Sequence, residues 1–172
     1  MTSNGAQTET THDVTPTTAS VEYVATEGSL IAMESFRSNL KIKSKTDREI
    51  LGLVDIVTKA DHAAQQQIID CLKSHLSREI TTVAEEGSIR KKVPESGSCW
   101  VIDPIDGTYN YVRGLSQWAT SVALLEDGTI QAAANVAPAL GDTYIAGAGS
   151  TAMLNNKLIS VSDRKNVGDI VV

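Results

Sequence analysis

Two carboxylates three residues apart, Asp103 and Asp106, stand at the end of a short apolar run, Trp100-Val101-Ile102, with Pro104 stiffening the backbone between them. Gly107 and Thr108 follow at once. Apolar strand, acidic tip, glycine and hydroxyl form a pattern suited to holding a hard cation beside a phosphate. Oxygen donors without cysteine or histidine partners suit Mg2+ or Mn2+ far better than zinc. Backbone amides at Gly107 and Thr108, where a turn enters a helix, can receive a phosphate. Further acids lie at other element ends: Glu85 and Glu86 after the β-branched run 80–84, and Asp61 at the start of a helical pattern. Carboxylates from separated segments can hold two or more ions, the arrangement used for in-line phosphoryl displacement.

Taken singly, each acid has a plainer use. Glu85 and Glu86 suit a solvated strand end, Asp106-Gly107 a turn, and Asp61 a helix cap. The Asp-Pro-Ile-Asp-Gly-Thr string is the specific signal, because a turn alone has no need of an apolar strand feeding two acids around a proline. His12, His62 and His75 are scattered, so a histidine-based metal site or nucleophile has little support. Cys71 and Cys99 sit in no metal-type or redox-type spacing and read as free thiols of a reducing compartment.

These residues need elements to position them. Residues 1–19 are rich in Thr, Ser and Asn with almost no large apolar side chains, and read as a disordered tail. From Ser20, a candidate cap, Val21, Val24, Ala25, Gly28, Ile31, Ala32, Ser35 and Phe36 follow helical spacing to about Leu40, with Gly28 marking a weak point or a close contact. Residues 41–48 are basic and polar and read as a solvated loop, the alternative being a basic flap that visits an anionic substrate. A second helix buries Ala64, Ile68, Cys71, Leu72 and His75, and the same stripe extrapolates back to Asp61. An inward acid at a first helical turn is favoured by the helix dipole and needs a partner. Strands are expected at 80–84, 118–125 and 130–136, the last two joined through Asp127-Gly128, a strong hairpin signal. Further strands are expected at 142–146, around the Asn155-Asn156 turn in 152–159, and from Asp169.

The chain has 172 residues, 41% hydrophobic and 21% charged, enough for one domain with a real core. A formal charge of -6 argues against sequence-independent nucleic-acid binding. The start lacks a secretory pattern and no apolar run approaches the ~20 residues that span a bilayer, so a cytoplasmic protein is expected.

Three motifs in order, 55–61 (Asp-Ile-Val-Thr-Lys-Ala-Asp), Ala84-Glu85-Glu86 and 100–111, resemble the inositol monophosphatase family of Mg2+-dependent, lithium-sensitive phosphatases. The likeness continues through 119–124 and Asn155-Asn156-Lys157, and covers about 20–172. It implies an α+β fold, layered, with a largely antiparallel sheet and two packed helices. It implies that Glu85, Asp103 and the Ile105 carbonyl hold a first ion, with Asp103 bridging to a second and Asp106 as a further ligand. Two or three Mg2+ ions are implied, with Mn2+ as a substitute. Thr108 paired with Asp61 would deprotonate the attacking water, with Glu85 orienting it. Ile105, Gly107 and Thr108 would line the phosphate, and Asp106 would touch a substrate hydroxyl. A small phosphate ester, a homodimer and no membrane partner complete the implied picture.

Two departures stand out. Ala84 replaces the family's usual glycine. Family members also continue into a second α/β region that supplies another aspartate and most contacts to the alcohol. The reading therefore takes 20–172 as the N-terminal metal-binding part, with turnover weak or absent unless another polypeptide completes the site. The alternative is a non-catalytic metal- or phosphate-binding remnant acting as an interaction module. Phosphatases with an aspartyl nucleophile carry their paired aspartates two apart, unlike Asp103 and Asp106.

Overall fold

A computed structural model describes residues 18–38, 43–44, 56–57, 59–76, 81–86 and 92–163. Two helices, α1 (Thr18–Ser35) and α2 (Lys59–His75), cover one face of a seven-stranded sheet. The strands run in chain order: β3 (Thr82–Ala84), β4 (Ser98–Asp106), β5 (Ala119–Glu126), β6 (Thr129–Ala137), β7 (Asp142–Gly147), β8 (Met153–Leu154) and β9 (Lys157–Leu158). Among the described residues, β3 pairs parallel with β4 and each later pairing in this sheet is antiparallel. A separate antiparallel pair joins β1 (Lys43–Ser44) to β2 (Ile56–Val57). The short helix α3 (Thr108–Val112) follows β4. The architecture is the expected α+β layer.

The core forms because periodicities match. Val21, Val24, Ala25, Gly28, Ser29 and Ala32 of α1 are buried, one stripe of a 3.6-residue repeat. Ile68, Cys71 and Leu72 of α2 meet them over Trp100, Ile102, Val122, Leu124, Ala132, Ala134, Val136 and Ile145, the alternate residues of four strands. Burying each large apolar side chain contributes roughly 1.5–3 kcal/mol. Gly28 is the close contact: a Cβ there would lie 2.5 Å from Ile68 Cδ1. Both short turns use left-handed residues. Asp127 and Gly128 have φ 48° and 74° in the β5–β6 link, and Asn155 and Asn156 have φ 48° and 63° in the β8–β9 link. Such paired values match the twist of a hairpin.

Some expectations are corrected. α1 begins at Thr18, so Thr18 and Ala19 are helical rather than tail, and Ser20 lies within the helix. The methyl of Thr18 fills the space beside Gly147, 2.8 Å from where a Cβ would stand, and this packing helps order residues that are weakly apolar on paper. Helix α1 ends at Ser35, short of the expected Leu40. His75 is exposed, not buried: at the last residue of α2 the stripe has passed the packed core. Its ring lies 4.9 Å from that of Tyr23, and its Nδ1 is 2.9 Å from the Cys71 carbonyl. Within the expected basic loop, Lys43 and Ser44 form β1. The expected tail over 1–17, Ile80 and the strand from Asp169 lie outside the described residues.

Candidate active site at the end of strands β3 and β4

Parallel pairing of β3 with β4 brings the acids together. Ala84 pairs with Ile102, and the Glu85 amide donates to the Ile102 carbonyl at 3.2 Å, so Glu85 leaves the sheet beside Asp103. The register with β5 shifts between Asp103 and Asp106. Pro104 explains the shift in part, since it has no N–H to give the ladder. The Pro104 carbonyl turns instead to Thr120, whose fully buried hydroxyl donates to it at 2.8 Å. This irregularity sets two acids and the Ile105 carbonyl around one strand end.

Asp61, in the first turn of α2, is 2% exposed and lies close enough for its charge to act on Asp103. The inward stripe expected for it is therefore correct. Asp103 reports the crowding. Burial, then the charges of Glu85 and Asp106, a hydrogen bond with Glu85, and the charge of Asp61 push its carboxyl up to about 7. One buried oxygen, Asp103 Oδ1, has no hydrogen-bond partner among the described residues. Charge of one sign, hard oxygen donors and an orphaned buried acceptor fit a divalent cation. Among the described residues, however, no three acidic, histidine or cysteine side chains are drawn in to metal-holding spacing. The donor set fits, but it stands open.

The turn after Asp106 is built on Gly107. Its φ of 84° is left-handed, and a Cβ would lie 2.9 Å from the Gln117 carbonyl. Helix α3 starts there, with the Asn110 and Tyr111 amides donating to the Gly107 carbonyl at 2.8 and 3.1 Å. The Thr108 hydroxyl donates to the Ile105 carbonyl at 3.0 Å, so its proton is directed there in this state rather than to Asp61. Tyr111 anchors the turn: its hydroxyl donates to the Ala32 carbonyl, and its ring meets Trp118 edge-on at 4.8 Å. Burial and the Asp61 charge raise the Tyr111 phenol, which keeps that donor protonated.

Beside Asp106 and Gly107 opens a cleft of about 400 Å3, bordered by Asn110, Gln117, Asn135 and Tyr144. A second hollow of about 370 Å3 includes Asp103, Val101, Ser121 and Asn135. Glu86, unlike Glu85, is buried, with His62 Nε2 3.7 Å from its carboxylate. Asp55, in the first of the three motifs, lies outside the described residues. Thr120 and Gln65 were not singled out from sequence. Gln65 was legible, four residues after Asp61 on the same helical face, whereas Thr120 depends on strand register.

A family model described as the inositol monophosphatase family matches residues 13–172. The chain belongs to the inositol monophosphatase family. It is 38% identical over 120 residues to a fructose-1,6-bisphosphatase/inositol-1-monophosphatase of Thermotoga maritima, covering 70% of this chain and 45% of that protein. It is likewise 38% identical over 120 residues to a putative Nus factor SuhB of Neisseria meningitidis, covering 70% and 44%. The fold superposes on the extragenic suppressor protein suhB of Bartonella henselae with a TM-score of 0.73 at 26% identity, over 85% of this chain and 54% of that one. The chain thus spans about half the length of the relatives it matches.

Proposed function

We propose that the protein hydrolyses a small phosphate monoester, inositol monophosphate or a related ester, by Mg2+-dependent attack of water. The observation carrying this is the convergence of Asp61, Glu85, Asp103 and Asp106 on one strand end, with an unpartnered buried Asp103 oxygen. Family membership supports it. Glu85, Asp103, Asp106 and the Ile105 carbonyl would hold two or three Mg2+ ions, with Mn2+ as a substitute. Such ions supply Lewis-acid charge and lower the pKa of water.

The chain's own groups do the rest. The Gly107 and Thr108 amides lie in the first turn of α3, outside that helix's own hydrogen bonds, and would receive the phosphate. Glu85, fixed at the end of β3, would orient the attacking water. Asp61 would take its proton through the Thr108 hydroxyl, which requires Thr108 to let go of the Ile105 carbonyl. Asp106 borders the 400 Å3 cleft and would meet a hydroxyl of the alcohol.

The reading includes a homodimer and a cytoplasmic location, without a nucleic-acid or membrane partner. The net charge of -6 supports the absence of nucleic acid. Among the described residues no helix is long and apolar enough to cross a membrane.

Release of inorganic phosphate from inositol 1-phosphate with Mg2+ tests the reading, run beside Asp103→Asn. Mg2+-dependent release that Asp103→Asn abolishes is expected. Release that survives the substitution would overturn the assignment. The second reading is a protein that binds Mg2+ and phosphate without turnover and acts as an interaction module. Measured Mg2+ binding with no release would select it.

A further inference from the structure

We infer that Gln65 is the positioning residue that fixes Glu85 against Asp61 and Asp103. The inference rests on the metal-site reading above. Its side-chain amide makes two hydrogen bonds to a single backbone residue, Glu86. Gln65 Oε1 accepts from the Glu86 amide at 3.0 Å, and Gln65 Nε2 donates to the Glu86 carbonyl at 2.7 Å. A carboxamide bound in this way takes the place of a neighbouring strand at the point where β3 has left the sheet.

Glu85 is thereby held from both sides. Its own amide still belongs to the ladder, bonded to the Ile102 carbonyl at 3.2 Å. The next residue is locked onto α2 by Gln65. The backbone is thus fixed before and after Glu85, whose exposed side chain lies in hydrogen-bonding reach of Asp103. Gln65 also sits one helical turn beyond Asp61, so the helix that carries one carboxylate grips the strand end that carries another. Partners of this kind orient metal ligands and typically change metal affinity ~10–100-fold when removed. Gln66 next to it is exposed and bonds Asp70 within α2, which makes it a matched control.

The test compares Gln65→Met, which keeps the side chain's length and loses both hydrogen bonds, with Gln66→Met. Mg2+ binding is followed by calorimetry and by the rise in Tm between EDTA and Mg2+. Gln65→Met is expected to weaken Mg2+ binding by about ten- to a hundredfold and to shrink the Tm rise, while Gln66→Met leaves both unchanged. Wild-type affinity in Gln65→Met overturns the role of Gln65 and leaves the metal reading standing. No Mg2+ binding by the unsubstituted protein overturns the metal reading and this inference with it. Should Gln65→Met fail to fold, hydrogen exchange at the Glu86 amide of the unsubstituted protein decides. Protection is expected there, and exchange at the rate of an open loop overturns the clamp.

Discussion

Asp103 concentrates what the sequence placed here and what the fold did with it. Its carboxyl is raised to about 7, first by burial and then by Glu85 and Asp106. An acid with a folded pKa above its unfolded value holds its proton more tightly when folded. Its stabilisation is fully present below about pH 4 and is lost as pH climbs towards 7. In EDTA, Asp103→Asn should flatten that decline and raise Tm by a few degrees at pH 8, since a neutral amide removes the like-charge crowding. Thermal melts between pH 4 and 8 measure both, and a lower Tm at pH 8 would contradict the crowding. Gly107 is the second case. Its left-handed φ and the 2.9 Å approach of the Gln117 carbonyl to a Cβ are separate penalties. Gly107→Ala should cost about 1–3 kcal/mol, read from denaturant unfolding; a loss under half a kcal/mol would show that the turn relaxes. Glycine at 107 was expected from the turn pattern, but the second penalty depends on where β5 begins.

Elements bring the acids together, and here the sequence was legible in part. The stripe Asp61, Ala64, Ile68, Leu72 was visible as helical spacing, and its burial follows. His75 belonged to the same stripe and is exposed, because periodicity describes a face and not the length of the surface that covers it. Both hairpin turns were readable because Asp-Gly and Asn-Asn tolerate positive φ. The parallel pairing of β3 with β4 was not readable, since alternation in a strand does not name its neighbour. Gly28 offers a test of element packing. Alanine gains about 1 kcal/mol in a free helix, but here its Cβ meets Ile68 at 2.5 Å. Gly28→Ala is expected to destabilise by about 1–3 kcal/mol. Combining it with Ile68→Val should cost clearly less than the sum of the two single changes. Simple additivity in urea melts would mean that the helices separate freely.

At the scale of the molecule, the acidic end should couple cation binding to folding. A ligand that binds only the folded state raises Tm with concentration. Protons compete for the same carboxylates. Mg2+ should therefore raise Tm more at pH 8 than at pH 5, where Asp103 is largely protonated. Equal shifts at both pH values would place the bound ion elsewhere. The sequence alone carried the family likeness, the class of fold and the positions of the acids along the chain, because these are read from residue type and short motifs. Only the tertiary structure decided that Glu85 stands beside Asp103, that Thr108 turns to Ile105 and that Gln65 grips Glu86. Those contacts join segments far apart in the chain, and their distances depend on strand register and helix placement, which local pattern does not specify.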